Sequence, residues 1–272
     1  MVKIIACDLD ETLLREDDKT VSPENRAAIR AARARGVKFV PCSGRGYKSI
    51  AKTLKELDVY DAPDEYLISF NGGAITENRG ERLLHFQGMP FALCDAFYRR
   101  GQQYDVCIHV YSMDTVYVWN FFQGERDFLN RRMEVVEVHD KTLDFLRGQE
   151  IVKVLFTNTD RAYLDRIRAD LADLTGDVDV SYSSNRYIEF NQKGVTKGAG
   201  LKKLAELLGV DMAETMAIGD NYNDLSMIQA AGIGVGVANT VEAMKPRCDF
   251  VTEADCNHSA VAEAIQRFVL NG

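Results

Sequence analysis

Two carboxylates one residue apart, Asp8 and Asp10, stand where the uncharged run Ile4-Ile5-Ala6-Cys7 ends. A short apolar run of this kind reads as a strand buried on both faces, as in a parallel sheet. In an extended chain residues i and i+2 point the same way, so both acids can project into one crevice at the strand's carboxyl end. Open α/β sheets bind their ligands in that crevice. Crowded acids repel unless a cation or a shared proton relieves them, so the pair asks for a metal. Taken alone, Asp-x-Asp is equally the polar end of a strand turning into a loop.

Other residues of chemical interest stand at comparable places. Val37 to Pro41 is apolar and runs into Cys42-Ser43-Gly44-Arg45-Gly46, Tyr66 to Phe70 ends in Asn71-Gly72-Gly73, and Thr215 to Ile218 ends in Gly219-Asp220-Asn221-Tyr222-Asn223-Asp224. Lys197-Gly198 opens a segment that Thr196 can cap as a helix. Singly, Ser43 can be a plain helix cap, Lys197 is more often a solvated helix-end lysine, and Asp220 and Asp224 can be ordinary turn acids. Those readings would all have to hold together at ends that a parallel sheet gathers on one edge.

The elements that must gather them follow from local pattern. Ser22-Pro23-Glu24 supplies an N-cap, a proline at the first helical position and a first-turn acid; the alanine-rich helix runs to Arg35 and Gly36 closes it. Strand, helix and strand at this spacing make a right-handed βαβ unit, and Tyr66 to Phe70 is expected as a third strand after a helix over 47–57. The pattern then changes. Pro90 to Tyr104 reads as a helix, Val106 to Asn120 as a hairpin about Met113-Asp114, Ile151 to Thr157 as a strand, Arg161 to Leu174 as a helix, and Val178 to Phe190 as a hairpin about Ser184-Asn185. Helix-strand-strand occurring twice predicts an α+β insertion with an antiparallel sheet. After it the doubly wound pattern resumes, with Leu201, Leu204, Leu207 and Leu208 on one helical face before Gly209, a strand at Ile233 to Val237, and a last helix from about Ser259 to Val269. The predicted fold is α/β: a Rossmann-like parallel-sheet core from residues 1–84 and 190–272, with an α+β domain over 85–189.

Composition sets outer bounds. The 272 residues are 46% hydrophobic and 27% charged, ordinary for a globular protein, and a net charge of −8 argues against general affinity for nucleic acid or anionic membranes. Cys7, Cys42, Cys94, Cys107, Cys248 and Cys256 form no C-x-x-C pair, a pattern suited to a reducing compartment, and Cys7 and Cys42 read as small core residues. His85, His109, His139 and His258 show no ligand spacing. The apolar run before Asp8 is too short for a signal-peptide core, and the long uncharged stretch Leu225 to Val241 is broken by glycines, so a cytoplasmic protein is expected. Gly232-x-Gly234-x-Gly236 lacks the helix-opening context of a dinucleotide fingerprint. Tyr111, Tyr117, Trp119, Phe121 and Phe122 read as core or hairpin faces rather than a substrate box.

Asp8-Leu9-Asp10-Glu11-Thr12, Ser43-Gly44-Arg45, Lys197-Gly198 and Gly219-Asp220-x-x-Asn223-Asp224, in this order, resemble the four motifs of the haloacid dehalogenase superfamily. The insertion between the second and third resembles the type IIB cap of the Cof-like phosphatases. Glu11 departs from the pattern, which has glycine there; it adds a negative charge near the site. The resemblance implies Mg2+ chemistry on a phosphate monoester, because a hard cation bridging nucleophile and phosphate lets one anion approach another. It implies Asp8 as nucleophile forming an aspartyl-phosphate and Asp10 as general acid and base. It also implies Ser43 with the N–H groups of Leu9 and Gly44 on phosphoryl oxygens, and Lys197 offsetting the crowded acids. Asp8, Asp220 and the Asp10 backbone carbonyl would hold the metal. Asn223 would contact phosphate, Asp224 would orient Lys197 or the metal's water shell, and Thr12, Arg45 and Asn71 would support the site.

The expected activity is a magnesium-dependent phosphatase of small phosphorylated metabolites, sugar phosphates by resemblance, with a mobile cap choosing among them. A phosphotransferase or mutase using the same aspartyl-phosphate is the alternative, and a binding module that kept the fold is a third reading that needs no nucleophile. No nucleic-acid or membrane partner is expected, and the chain is expected as a monomer or weak homodimer.

Overall fold

A computed structural model describes residues 1–130 and 133–271 of the chain. In chain order the elements are β1 Ile4–Cys7, α1 Pro23–Ala34, β2 Lys38–Pro41, α2 Ala51–Glu56, β3 Tyr66–Ser69, β4 Ala74–Glu77 and β5 Arg82–Phe86. Then come α3 Phe91–Gly101, β6 Cys107–Ser112, β7 Val116–Trp119, α4 Gln123–Leu129, β8 Val136–Val138, β9 Ile151–Thr157, α5 Arg161–Asp170, β10 Val178–Ser183 and β11 Tyr187–Gln192. The last are α6 Lys197–Leu208, β12 Thr215–Gly219, α7 Leu225–Ala230, β13 Ile233–Gly236, β14 Phe250–Val251 and α8 Ala260–Ile265. They form two compact units, Met1–Phe86 with Val195–Gly272, and Gln87–Gly194.

The first unit is built on a parallel sheet of order β14-β13-β12-β1-β2. Alternate residues of β1 enter opposite layers, as the pleat requires. Ile5 and Cys7 pack with Ala28, Ile29 and Ala32 of α1 and Val261, Ala264 and Ile265 of α8. Ile4 and Ala6 pack with Leu201, Leu204 and Ala205 of α6 and Met227 of α7. A strand covered on both faces has no polar side to show, which is why its sequence is continuously apolar. The caps are local: Ser22 accepts from the Asn25 N–H, Thr196 from the Ala199 N–H, and Gly209 ends α6 at φ +64°.

Register sets up the site. Cys7 lies opposite Pro41 on one side and Ile218 on the other. The residues that follow, Asp8, Cys42-Ser43 and Gly219-Asp220, therefore leave the sheet side by side, tied by Asp8 N–H to Ile218 O at 2.9 Å and Cys42 N–H to Cys7 O at 2.8 Å. β3 runs parallel to β2, as expected, through the Cys42–Ile68 bridge and the Ser43 N–H to Ile68 O bond at 2.9 Å. What the sequence did not indicate is that β3 also pairs antiparallel with β4 in a three-stranded sheet, β3-β4-β5. The tight Phe70-Asn71-Gly72 turn sends the chain straight back along β3, which no crossover helix could do.

In the second unit the sheet order is β10-β11-β9-β6-β7-β8, antiparallel except for the β7–β8 pair. One face is apolar: Ile108, Val110, Val154, Phe156, Ile188 and Phe190 pack with Phe97 and Tyr98 of α3 and Leu164 and Ile167 of α5. The other face carries His109, Lys153, Thr157, Tyr187 and Glu189, with Glu125 brought to it by α4. Tyr117 and Trp119 join the apolar core, whereas Tyr111 lies beneath Lys153 on the polar face and Phe122 is exposed. β5 belongs to the first unit and β11 carries the second to Gln192, so the crossings fall at 86/87 and 194/195, a few residues after 84/85 and 189/190. α5 stops at Asp170, and a 3-10 turn covers the rest of the segment to Leu174.

Candidate active site

The ends of β1, β2, β3 and β12 surround a cavity of about 260 Å3 lined by Asp8, Asp10, Ser43, Arg45, Asn71 and Asp220, with Glu11, Gly44, Asn221 and Asn223 completing the wall. Lys197 and Asp224 lie behind it, both fully buried. Lys197 Nζ donates to the Asp8 carboxylate and, at 2.5 Å, to Asp224 Oδ1. The other oxygen of Asp224 accepts the N–H groups of Asp220 and Asn221, each at 3.0 Å. Both Asp224 oxygens are thus engaged, and what they hold is the lysine and the turn that carries Asp220. Thr12 Oγ donates to Asp220 Oδ1 at 2.7 Å.

Asp8, Asp220 and Asp224 each offer a carboxylate oxygen within 4.8 Å of the others, all three buried. One ammonium between two buried carboxylates cannot balance a third. Burial pushes the Asp220 carboxyl up to about 6, and burial together with the neighbouring acids raises Asp8 although Lys197 pulls it down. Lys197 itself, though burial opposes its charge, is held above its ordinary value by Asp8 and Asp224. The site therefore carries a surplus of negative charge on hard oxygen donors, the environment that suits Mg2+. Asp8 and Asp220 have oxygens to give it. The Asp10 side chain stands apart from this cluster. Its carboxylate faces Arg45, whose Nε–H reaches Oδ2 at 2.9 Å while Nη2 meets Oδ1.

Among the described residues the N–H groups of Leu9 and Gly44 meet no protein acceptor, and Gly44 lines the cavity. Ser43 Oγ accepts the Arg45 N–H at 3.1 Å and keeps its own proton to give. The Asn71 side chain has no hydrogen-bonding partner, and the residue sits at φ +55° with its N–H on Ser43 O. Gly72 beside it is obligatory, because a Cβ there would lie 2.1 Å from Thr196 O. Asn223 lines the cavity wall.

Two residues were not singled out from the sequence. Asn239 reaches 228 residues back to donate to Glu11 O at 2.7 Å, and Asn221 lines the cavity. Asn239 is too far along the chain from Glu11 for any spacing to link them, whereas Asn221 directly follows Asp220 inside the Gly219-to-Asp224 segment. Cys7 and Cys42 are fully buried beside the site, and burial raises both thiols. A second cavity, about 330 Å3, lies within the second unit between Arg161, Tyr182, Asn185 and Arg186 and holds none of these acids.

A model of the haloacid dehalogenase-like hydrolases matches residues 5–265. The Bacillus subtilis protein YxeH is 30% identical over 275 residues, covering 99% of both chains. The 5-amino-6-(5-phospho-D-ribitylamino)uracil phosphatase YcsE of the same organism is 29% identical, over 99% of this chain and 96% of its own. Among solved structures, a haloacid dehalogenase-like hydrolase from Bacteroides thetaiotaomicron superposes with a TM-score of 0.84 at 30% identity, over 98% of this chain and 99% of that one. TM0651 from Thermotoga maritima gives 0.86 at 25% identity over 98% of each. The match runs through all four strand ends that build the cavity, and this chain belongs to the haloacid dehalogenase-like hydrolase family.

Proposed function

We propose that the chain is a magnesium-dependent phosphatase of small phosphorylated metabolites that works through an aspartyl-phosphate on Asp8. The observation that carries this reading is the buried Asp8 carboxylate at the end of β1, with Lys197 behind it, Asp220 beside it and the free N–H groups of Leu9 and Gly44 alongside. A binding site for a phosphate needs the donors but not a buried carboxylate aimed at the phosphorus. Asp8 and Asp220, with the Asp10 carbonyl, would hold Mg2+, which supplies charge neutralisation between nucleophile and phosphoryl group.

The residues divide the work. Leu9, Gly44 and Ser43 hydrogen-bond the phosphoryl oxygens as charge builds on them. An oxygen of Asp8 forms the bond to phosphorus as the ester oxygen leaves, and Asp10 gives that oxygen a proton. Asp10 then takes a proton from the water that cleaves the acyl phosphate and regenerates the Asp8 carboxylate. Lys197 and Asp224 keep Asp8 in place throughout. Arg45 must leave Asp10 for these proton transfers, and the incoming phosphoryl dianion is the group that competes for its guanidinium. We assign substrate selection to the unit Gln87–Gly194. Sugar or polyol phosphates are the class we infer, in keeping with the ribityl phosphate in the name of YcsE.

A screen of phosphorylated metabolites with and without magnesium tests the reading. Release of inorganic phosphate that disappears in chelator, returns with Mg2+, and is poorly supported by the longer-bonded Ca2+ is the expected result. Full activity in chelator, or in Asp8→Asn, overturns it. Little inorganic phosphate without an acceptor, and a new phosphate ester formed when an acceptor alcohol is added, would favour phosphoryl transfer instead.

A further inference from the structure

Glu11 occupies a backbone conformation that disfavours it. Its φ is +61°, in the left-handed region where a side chain meets the following carbonyl and glycine is the relaxed choice. The conformation is fixed from outside, because Asn239 Nδ2 donates to Glu11 O at 2.7 Å. The side chain is exposed and forms part of the cavity wall, beside Asp10, Arg45 and Asp220. Strain retained at the wall of a cleft points from the outlier toward a use for the side chain.

What that use is follows from who already serves whom. Lys197 is shared by Asp8 and Asp224, and Arg45 is on Asp10. A divalent cation on Asp8 and Asp220 would take up the charge of those two. Among the described residues, the Glu11 carboxylate meets neither a cation nor a hydrogen-bond donor. It is the unmatched anion of the cavity, on its exposed wall, where the part of a substrate beyond the phosphoryl group must pass. Building on the phosphatase reading, we propose that Glu11 is a specificity-determining residue that favours phosphate monoesters carrying an ammonium group close to the ester, such as amino-sugar or amino-alcohol phosphates. The same charge disfavours substrates with a second anionic group. An unscreened opposite charge within a few ångströms at a wet surface is worth about threefold to tenfold in relative affinity.

Two matched pairs test this near neutral pH: glucosamine 1-phosphate against glucose 1-phosphate, and phosphoethanolamine against ethyl phosphate. Each is measured as kcat/KM, or as Ki against p-nitrophenyl phosphate where its turnover is slow, with wild type, Glu11→Gln and Glu11→Asp. Wild type should prefer the amine in at least one pair by about threefold to tenfold, and salt should shrink the preference. Glu11→Asp should keep it, because aspartate tolerates the left-handed region and retains the charge. Glu11→Gln, equal in shape and strain, should lose it. An amine preference that is absent from wild type in both pairs, or that survives in Glu11→Gln, overturns the inference while p-nitrophenyl phosphate hydrolysis leaves the phosphatase reading standing. No hydrolysis of p-nitrophenyl phosphate with magnesium overturns both.

Discussion

Both oxygens of the Asp10 carboxylate are taken by one side chain, the Arg45 guanidinium, through Nε–H to Oδ2 at 2.9 Å and Nη2 to Oδ1. The pair is wet, with 37% of the Arg45 side chain and 44% of the Asp10 side chain exposed. Solvent screening leaves such a pair little weight in stability, at most about 1 kcal/mol. Its planar two-point geometry nevertheless orients the acid and keeps a cation next to the phosphate donors.

Arg45→Ala should therefore leave the melting temperature nearly unchanged and cut kcat/KM by about tenfold to a hundredfold, the scale of losing one charged contact to a phosphoryl group. Arg45→Lys restores charge without the fork and should recover only part of the loss. Steady-state kinetics beside thermal melts separate the two effects. A large drop in stability with kinetics intact would make the pair structural.

Lys197 is the opposite case, a fully buried cation between two carboxylates. Lys197→Met fills similar volume but leaves Asp8 and Asp224 facing each other unpaired, which should cost about 3–5 kcal/mol. Asp8→Asn removes one of the crowded charges, keeps the shape, and should melt no lower than wild type while turnover falls by at least about a thousandfold. The double variant should regain part of the stability lost in Lys197→Met, since the two sites touch and their effects cannot add. Additivity in the cycle would show that Asp8 and Lys197 do not interact.

Much of this frame was legible because it is written in short-range signals. The apolar β1 ending at Asp8, the Ser22 and Thr196 caps, Gly36 and Gly209, and the four motif segments are all local, and each appears where its residues indicate. β3 runs parallel to β2, as its place after the second helix indicates, but β4 and β5 went unread, because the reversal at Phe70-Asn71-Gly72 that brings β4 back along β3 has no periodic signal. The grip of Arg45 on Asp10 was invisible for another reason, since it depends on two loops from adjacent strands meeting. His109, on β6, and Glu125, on α4, lie together on the second unit's polar face, Nε2 to Oε1 at 3.4 Å, with nothing in their spacing to announce it.

That His109 supplies a pH dependence. It is fully buried, its Nδ1 has no partner, and burial, aided by Lys153 and Arg186 against Glu189, lowers it from 6.5 to about 3. Below pH 6.5 the unfolded chain then holds a proton that the folded chain refuses, so this stability is whole above that pH and is lost as pH falls toward 3. Glu125 opposes it further down, because burial raises its carboxyl and acid favours its folded form. Between pH 7 and 5.5 the histidine dominates, and its loss should be about 1 kcal/mol. Urea denaturation at the two pH values should show wild type weakening by that much more than His109→Gln. Equal weakening would mean the folded histidine takes up its proton normally.

Gly198 fixes where α6 begins, and with it the reach of Lys197. A Cβ at this position would lie 2.3 Å from Ser226 O and 2.6 Å from its carbonyl carbon, while the Gly198 N–H donates to Ser226 Oγ at 3.0 Å. Helix and backbone touch here without a side chain between them. Alanine is the better helix former by about 1 kcal/mol, which alone would stabilise α6. The clash is with backbone, though, in the turn of chain that continues into the buried Met227 and Ile228, so the helix end must give way. Gly198→Ala should cost about 1–3 kcal/mol and carry Lys197 Nζ away from Asp8, lowering kcat about tenfold or more with a smaller change in KM. Gly176→Ala, where a Cβ meets nothing within 4 Å, is the control and should leave both unchanged. A Gly198→Ala protein that is destabilised yet turns over at the wild-type rate would show that the seat of α6 does not set the position of the lysine.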